Sequence, residues 1–216
     1  GDGGITPQTF VVNITGTNDA PTITSVAGIT NVTGTVTEDV AVVAATLTDT
    51  GTITFDDVDL TNTHTVFSVT RASGSLQGGT LTLGDVSESA TTTAGSVPWT
   101  YTVANSATQY LAKDQTASEV FTLTISDGKG GTVTQDVTIT ITGTNDAPTI
   151  STGTSVVTGA VTEDTALAGT TFTDLTDTGT ITFNDFDLTD AHTVVSVDKV
   201  SDTLGGNLTF GGVTEN

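Results

Sequence analysis

Alternation of apolar and polar residues is the dominant pattern along this chain. Thr132 to Thr142 reads TVTQDVTITIT, and the segments Val97 to Val103 and Val120 to Ser126 alternate in the same way. A period of two residues puts successive side chains on opposite faces of an extended backbone, which is typical of half-buried β-strands. The pattern therefore predicts an all-β protein made of short strands.

Further strands are predicted where β-branched runs are bounded by Gly, Asp or Asn. These runs are Ile5 to Thr15, Val32 to Thr37, Val40 to Leu47, Gly51 to Phe55, His64 to Thr70 and Thr80 to Leu83. Asp49 to Gly51 is predicted to be a turn, and Asp127 to Gly131 a hairpin between the last two strands. A brief helix is predicted at Ala107 to Ala112, with Tyr110 and Leu111 directed into the core. Seven or so strands in this order predict a β-sandwich.

The octapeptide GTNDAPTI marks a long internal repeat. It occurs at Gly16 to Ile23 and again, 127 positions later, at Gly143 to Ile150. The segment DTGTITFDDVDL at Asp49 to Leu60 likewise returns as DTGTITFNDFDL at Asp177 to Leu188. A unit of about 127 residues has the size of a single domain rather than of a solenoid repeat. The sequence thus predicts tandem Ig-like sandwiches.

The register of the repeat predicts three segments. They are residues 1–17, the last strand of an upstream repeat; residues 18–145, a complete repeat, called here the first unit; and residues 146–216, the N-terminal half of the next repeat, called the second unit. Asn216 aligns with Ser89, so we expect the natural polypeptide to continue past Asn216 as part of a longer array.

The charge of the chain excludes several classes of partner. Four Lys and Arg residues stand against 25 Asp and Glu residues, a formal net charge of −21. So acidic a protein is not expected to bind nucleic acid or to adhere to anionic lipid, and no run of apolar residues is long enough for membrane insertion. The chain has no Cys. Without disulfides or thiolate ligands, a cation that cross-links parts of the chain must be bound by oxygen atoms, and Ca²⁺ is the expected cofactor.

Oxygen donors are predicted to gather at two ends of the sandwich. Ca²⁺ takes six to eight oxygen ligands from carboxylates, amides and carbonyls. At the lower junction, between the two units, we expect Glu38, Asp39, Asp114, Asn145, Asp146, Asp185, Asp187 and Asp190. At the upper junction, before the first unit, we expect Asn18, Asp19, Asp57, Asp59 and Asn62, with Asp127 nearby. Acidic loops are also often solvated surface, but these recur in both copies.

Catalytic interpretations have less support. His64 and His192 occupy equivalent strand positions, and a residue repeated in every unit is more often a packing or hydrogen-bonding residue than a catalytic base. Asp57 and Asp59 are not expected to act as a glycosidase pair, because no cluster of aromatic residues that could stack on a sugar accompanies them. Trp99 is most simply a core residue. We therefore predict no enzymatic activity.

Several of these motifs together resemble VCBS repeats of large RTX-type bacterial surface adhesins. They are the GTNDAPTI junction, the Thr-Glu-Asp at Thr37 to Asp39 and at Thr162 to Asp164, the FDDVDL and FNDFDL loops with their THTV and AHTV continuations, and the WTYTVAN and DGKGGT segments. More distantly, the junction is similar to the calcium-binding linkers of cadherin repeats. Its Asn-Asp-Ala-Pro is one residue shorter, which leaves the number of ions per junction open.

The resemblance implies a calcium-rigidified spacer of a secreted adhesin, located outside the cell or at the bacterial surface, with roles in cell adhesion and biofilm. Its neighbours would be other repeats of the same chain, and its adhesion ligand is not identified by the sequence. Two alternatives stay open. One is the subunit of an extracellular filament or sheath that assembles with other copies of itself by strand complementation, which concentration-dependent polymers would favour. The other is a carbohydrate-binding module, which a shallow groove with coplanar aromatic residues would favour.

Overall fold

The computed structural model describes residues 3–74, 78–162, 174–201 and 205–215. In these residues the regular structure is β-strand, apart from a single turn of 3₁₀ helix at Asn105–Ala107. The strands are β1 (Thr22–Thr24), β2 (Thr33–Thr37), β3 (Thr46–Asp56), β4 (Thr65–Gly74), β5 (Thr80–Leu83), β6 (Ser87–Glu88), β7 (Ala94–Ala104), β8 (Thr116–Ser126), β9 (Thr132–Thr142), β10 (Thr149–Ile150) and β11 (Phe183–Asn184). None of the described helical structure is long and apolar enough to cross a membrane. The predicted all-β class is confirmed.

The first nine strands form two sheets. One has the order β1-β3-β7-β5, with β6 also paired to β7, and the other has the order β2-β9-β8-β4. Neighbouring strands are antiparallel except β2 and β9, which run parallel from Thr33 opposite Thr138 to Thr37 opposite Thr142. The first sheet therefore ends at β1 and β5, and the second at β2 and β4.

A single hydrophobic core fills the space between the two sheets. On β7 the residues Val97, Trp99, Tyr101 and Val103 are buried, while the residues between them are more exposed. Strands β8 and β9 of the other sheet contribute every second residue in the same way. The rings of Tyr101 and Phe121 meet across the core with centroids 5.9 Å apart. This face-to-face packing defines a β-sandwich.

The predicted turn at Asp49 to Gly51 is wrong. These residues lie inside β3, which runs without interruption beside β7. Asp49 is held there because its Oδ2 accepts the N–H of Thr35 at 2.6 Å. A Cβ on Gly51 would lie 2.4 Å from the indole of Trp99, so this glycine admits the large ring rather than a turn.

The strand predicted at Val40 to Leu47 is also mostly wrong, because β3 begins only at Thr46. Residues 40–45 form an irregular loop in which Ala41, Ala44 and Ala45 have positive φ angles. Val43 and Thr46 close this loop with two mutual backbone hydrogen bonds of 3.0 Å. Residues 40–45 therefore lie at the surface, and Val43 is 70% exposed.

Other local predictions are confirmed. Strands β5 and β9 have the expected bounds, and the hairpin before β9 is closed by the N–H of Asp127 donating to the carbonyl of Gly131 at 3.2 Å. The helix predicted at Ala107 to Ala112 is wrong, because the 3₁₀ turn ends at Ala107 and only turns follow it. Leu111 is nevertheless buried in the core as expected. Strands β1 and β6 were not predicted from the sequence.

Contacts of the first unit recur in the described part of the second. Strands β1 and β3 pair Thr22 with Asp56, and strands β10 and β11 pair Thr149 with Asn184, the equivalent residues. By contrast, residues 3–21 form no strand in this structure, and Phe10 is 85% exposed. Their predicted place in an upstream repeat stays a prediction. Glu163, Asp164 and Asn216 lie outside the described residues.

Candidate metal centre at the junction

Each acidic loop that follows the strand β3 or β11 is held by its first aspartate. Asp57 is buried, and its Oδ1 accepts the N–H of Asp59 at 2.8 Å. In the second unit, Oδ1 of Asp185 accepts the N–H of Asp187 at 2.9 Å. Such Asx turns fix the backbone two residues on. The first carboxylate of each pair therefore positions the second.

The second aspartate of each pair accepts a hydrogen bond from the Asn-Asp-Ala-Pro segment of its own copy. This segment, Asn18 to Pro21 or Asn145 to Pro148, is called here the linker. Oδ2 of Asp59 accepts the N–H of Asp19 at 2.7 Å. Oδ2 of Asp187 accepts the N–H of Asp146 at 2.8 Å. The Asn-Asp-Ala-Pro segment is thus docked on the acidic loop in both copies, and this places a linker carboxylate beside a loop carboxylate.

The end of the first unit supplies two more carboxylates to the lower junction. Glu38 is fully buried, with Oε1 accepting from Gln109 Nε2 at 2.7 Å and Oε2 accepting the N–H of Thr144 at 3.0 Å. Asp39 accepts from Asn105 Nδ2 at 2.6 Å and from Gln109 at 3.2 Å. Amide side chains and the backbone N–H of Thr144 therefore hold the two acids at this end of the sandwich.

Like charges crowd the lower junction. The pKa of Glu38 is raised from 4.5 to about 7, mainly by burial. The carboxylates of Asp146, Asp39 and Asp187 add to this shift, and the hydrogen bond from the N–H of Thr144 opposes it. Burial also raises the pKa of Asp146, with Asp187, Asp39 and Asp185 adding to the shift. These groups come from both units, so the repulsion acts across the junction.

Two carboxylate oxygens at the lower junction are buried without a hydrogen-bond partner. They are Oδ2 of Asp146 and Oδ1 of Asp187, and Asp187 is 2% exposed. Among the described residues the other such atom is Oε1 of Glu119, but this oxygen lies 3.2 Å from Nη1 of Arg71 in an ion pair. Buried carboxylate oxygens without a partner are costly. A positive group at these two oxygens would offset this cost.

The upper junction is satisfied by amide groups. Asn62 Nδ2 donates to Asn18 Oδ1 at 3.0 Å, and Asn18 Nδ2 donates to Asp127 Oδ2 at 2.8 Å. Asp127 also accepts the N–H groups of Lys129 at 2.7 Å and Gly131 at 2.9 Å. The hydrogen bond from Asn18 is the main reason why the pKa of Asp127 lies below its usual value. Asp127 is therefore accounted for as the residue that closes the hairpin.

The other predicted ligands of the lower junction are placed as follows. Asp190 stands where the first unit has Asn62, and its N–H donates to the carbonyl of Asp187 at 3.1 Å. Asp190 has no side-chain amide, so it cannot donate the hydrogen bond that Asn62 Nδ2 donates in the first unit. Asn145 Nδ2 donates to the carbonyl of Asp146 at 2.6 Å, which leaves its Oδ1 as an acceptor. Asp114 is exposed, and its backbone N–H donates to the carbonyl of Gly143.

A histidine is bonded to the first aspartate of each acidic loop. His64 is buried, with Nε2 lying 2.9 Å from Oδ2 of Asp57 and Nδ1 lying 2.6 Å from Oε2 of Glu88. Its ring packs on Phe55 with centroids 4.7 Å apart. The arrangement recurs around His192. Both nitrogens of each ring thus lie within hydrogen-bond distance of carboxylate oxygens.

The second histidine has a shifted pKa. The hydrogen bond to Asp185 raises the pKa of His192, and Glu215 adds to this shift. Burial pushes the pKa of Asp185 upward, but the hydrogen bonds from His192 and from the N–H of Asp187 outweigh it and lower the value. Each member of the pair thus stabilises the charged form of the other.

Sequence reasoning missed four residues that support these loops. Glu88 and Glu215 recur 127 positions apart in VSES and VTEN, so the repeat itself carried a signal for them. Asn105 and Gln109 carried none, because an amide in a short turn after β7 has no sequence pattern that links it to the loop after β2. Their role is visible only once the fold brings the two loops together.

Two further observations on the described residues bear on metal binding and on carbohydrate binding. Within the described ranges, no three His, Asp or Glu side chains already converge closely enough to enclose a metal ion. A groove of about 550 Å³ lies between β4 and the β5–β6 edge, and Phe67 is the one Phe, Tyr or Trp among its lining residues. Trp99 and Tyr101 are buried. The groove thus lacks the coplanar aromatic platform expected for a carbohydrate-binding module.

Comparison with protein-family models finds no match, and comparison with curated proteins finds none either.

Proposed function

We propose that this chain is a calcium-dependent structural spacer, built of tandem Ig-like sandwiches of the VCBS type, from a secreted bacterial surface adhesin. One observation carries the proposal. Oδ2 of Asp146 and Oδ1 of Asp187 are buried without partners at the boundary between the units. The chain has four Lys and Arg residues for 25 acids, so a cation from solution is the simplest counter-charge.

The donor set at this boundary fits calcium. Ca²⁺ supplies two positive charges and takes six to eight oxygen ligands, from carboxylates, amide carbonyls, backbone carbonyls and water. Asp146 and Asp187 would provide the two free oxygens, and Glu38 and Asp39 lie in the same electrostatic neighbourhood. Asn145 and Asp190 are further oxygen donors. Because the carboxylates of the described residues do not converge on one point, binding would have to close them around the ion.

The place of these donors explains a spacer role. Glu38 and Asp39 belong to the first unit, whereas Asp146 and Asp187 belong to the second. Holding oxygens from both units on one ion would fix the angle between the units. Without the ion the same groups repel one another. Calcium outside a cell would thus make the array stiff, and the chain would serve as a rod with no catalytic activity.

Recurrence supports the tandem organisation in this proposal. The Asx turn, the bond from the linker N–H to the loop and the histidine contacts occur in both units, between residues 127 or 128 positions apart. One arrangement of a histidine, two aspartates and a linker, repeated at a constant spacing, is the mark of a duplicated fold. The second unit is therefore proposed to be another copy of the sandwich.

A calcium titration of two matched variants tests the proposal. Asp146→Asn removes one of the unpartnered carboxylates at the lower junction, and Asp19→Asn makes the same change at the upper junction, where Asp19 is exposed. Calorimetry should show binding at about 10⁻⁴ to 10⁻³ M for the parent, the range of extracellular modules. Asp146→Asn should weaken this binding more than Asp19→Asn does. A parent that binds no calcium, or an Asp146→Asn variant that binds it like the parent, would overturn the proposal.

A further inference from the structure

His192 links two carboxylates of the second unit. Nε2 of its ring lies 2.8 Å from Oδ2 of Asp185, and Nδ1 lies 2.9 Å from Oε1 of Glu215. The backbone N–H of His192 also donates to Glu215, at 2.6 Å. Carboxylate oxygens are acceptors, so both ring nitrogens must donate and the ring carries both protons. One cation therefore separates two acids that would otherwise repel each other.

A continuous set of hydrogen bonds leads from this ring to the lower junction. Asp185 meets the ring with Oδ2 and accepts the N–H of Asp187 with Oδ1, at 2.9 Å. Asp187 in turn accepts the linker N–H of Asp146 with its Oδ2, at 2.8 Å. The oxygen left over is Oδ1 of Asp187, which is buried and unpartnered. The orientation of this oxygen thus depends, through Asp185, on the ring of His192.

We propose that His192 is a positioning residue for cation binding at the lower junction: with Glu215 and Asp185 it forms a clasp that holds the loop of Asp187 ready for the ion. The inference rests on the proposed function, since it concerns the same site. His192 does not contact the ion. It acts by keeping Asp185 in the orientation that fixes the backbone of Asp187.

The clasp recurs in the first unit. In the first unit His64 joins Asp57 and Glu88 with the same two ring contacts, and the ring packs on Phe55 as that of His192 packs on Phe183. The same clasp is therefore present beside the acidic loop of both units. Supports of this kind, one residue removed from the ligands, usually change metal affinity about 10- to 100-fold when they are lost.

The test compares His192→Gln with its matched control His64→Gln. Glutamine has a single donor nitrogen and cannot replace two ring nitrogens that point to opposite sides, so His192→Gln should weaken calcium binding at the lower junction by about tenfold or more. His64→Gln makes the same change one unit away and should leave the dissociation constant of the lower junction unchanged. The constant is measured by calorimetry on the whole chain.

Amide exchange separates positioning from loss of folding. The N–H groups of Ser151 and Val156 donate to the carbonyls of Thr182 at 2.8 Å and Thr180 at 2.7 Å, so their protection reports the start of the second unit. Replacing a residue with a merely structural role would lower this protection. Replacing a positioning residue should change the dissociation constant for calcium while the protection stays the same.

Glu215 provides a second pair of variants in case His192→Gln unfolds the second unit. Its side chain is 38% exposed, so Glu215→Ala leaves the core intact while freeing the outer side of the ring. Glu215→Ala should weaken binding in the same direction, and Glu215→Gln, which still accepts from Nδ1, should restore it. Parental dissociation constants in both His192→Gln and Glu215→Ala would overturn the clasp. A parent that binds no calcium would instead overturn the proposed function.

Discussion

The backbone N–H of Asp146 donates to Oδ2 of Asp187 at 2.8 Å, while Oδ2 of Asp146 and Oδ1 of Asp187 are both buried without a partner. The hydrogen bond holds the linker against the loop, and the two carboxylates are brought close together by it. Two like charges about 4 Å apart repel by roughly 1 kcal/mol even at the dielectric constant of water. The hydrogen bond thus stabilises the junction, and the repulsion between the two carboxylates destabilises it. A bound cation would remove this repulsion.

Replacing Asp187 by Asn should have opposite effects with and without calcium. In EDTA, Asp187→Asn removes a buried charge that repels Glu38 and Asp146 and should raise the free energy of unfolding by on the order of 1 kcal/mol. In calcium the variant loses a ligand and should be less stabilised by the ion than the parent. Thermal unfolding under both conditions measures the difference. Asp59→Asn is the control, and equal responses of the two variants would contradict the prediction.

The relative motion of the two units should depend on calcium. Repulsion among the junction carboxylates favours separated units in EDTA, and bridging by the ion favours a straight rod. Small-angle scattering at millimolar calcium and in EDTA should show a defined maximum dimension in the first case and a broadened distribution of distances in the second. Identical scattering curves under the two conditions would argue against calcium-dependent stiffness.

Stability in EDTA should fall as the pH rises from about 4.5 to about 7. Burial raises the pKa of Glu38 to about 7 from 4.5, so in this window the folded chain binds more protons than the unfolded chain. Rising pH then favours unfolding, and above pH 7 this contribution is fully lost. Denaturation midpoints of the parent and of Glu38→Gln isolate the effect, because the variant should show a shallower slope. Equal slopes would exclude Glu38 as the source.

Core and junction should respond independently to mutation. Trp99 is 1% exposed, its Nε1 donates to the carbonyl of Asn31 at 2.7 Å, and its indole covers Gly51. Trp99→Ala should therefore cost about 3–5 kcal/mol of stability. The folded fraction of the variant should retain the calcium affinity of the parent, as measured by titration below its melting temperature. A large loss of affinity in folded protein would show that the core and the junction are coupled.

The strands that sequence reasoning located best are those with strict alternation. β9 from Thr132 to Thr142 has a clear apolar face because one side of it packs against the core. In such a strand the alternating apolar residues are the buried residues, so the sequence pattern predicts the structure. The two-residue strand β6 has no such face: Ser87 and Glu88 are both exposed.

The errors have a common physical origin in contacts that are distant in sequence. Asp49 and Gly51 have turn chemistry, but a hydrogen bond from Thr35 and the indole of Trp99 keep them in a strand. The contacts with Thr35 and Trp99 thus outweigh the turn propensity of these two residues. At the junction, the repeat pointed to the Asp-x-Asp loops, whereas Gln109 is a partner of Glu38 only because the fold brings them together.

Anomalous diffraction from crystals grown at millimolar calcium, or soaked with a lanthanide in its place, tests the proposed calcium bridge most directly. We expect an anomalous difference peak at the lower junction, within about 2.3–2.6 Å of Oδ2 of Asp146 and Oδ1 of Asp187 for calcium. Oxygens of Glu38 or Asp39 should complete the ligand set from the first unit. Crystals that diffract well and show these two oxygens unbound, with no peak between the units, would contradict a calcium-bridged junction.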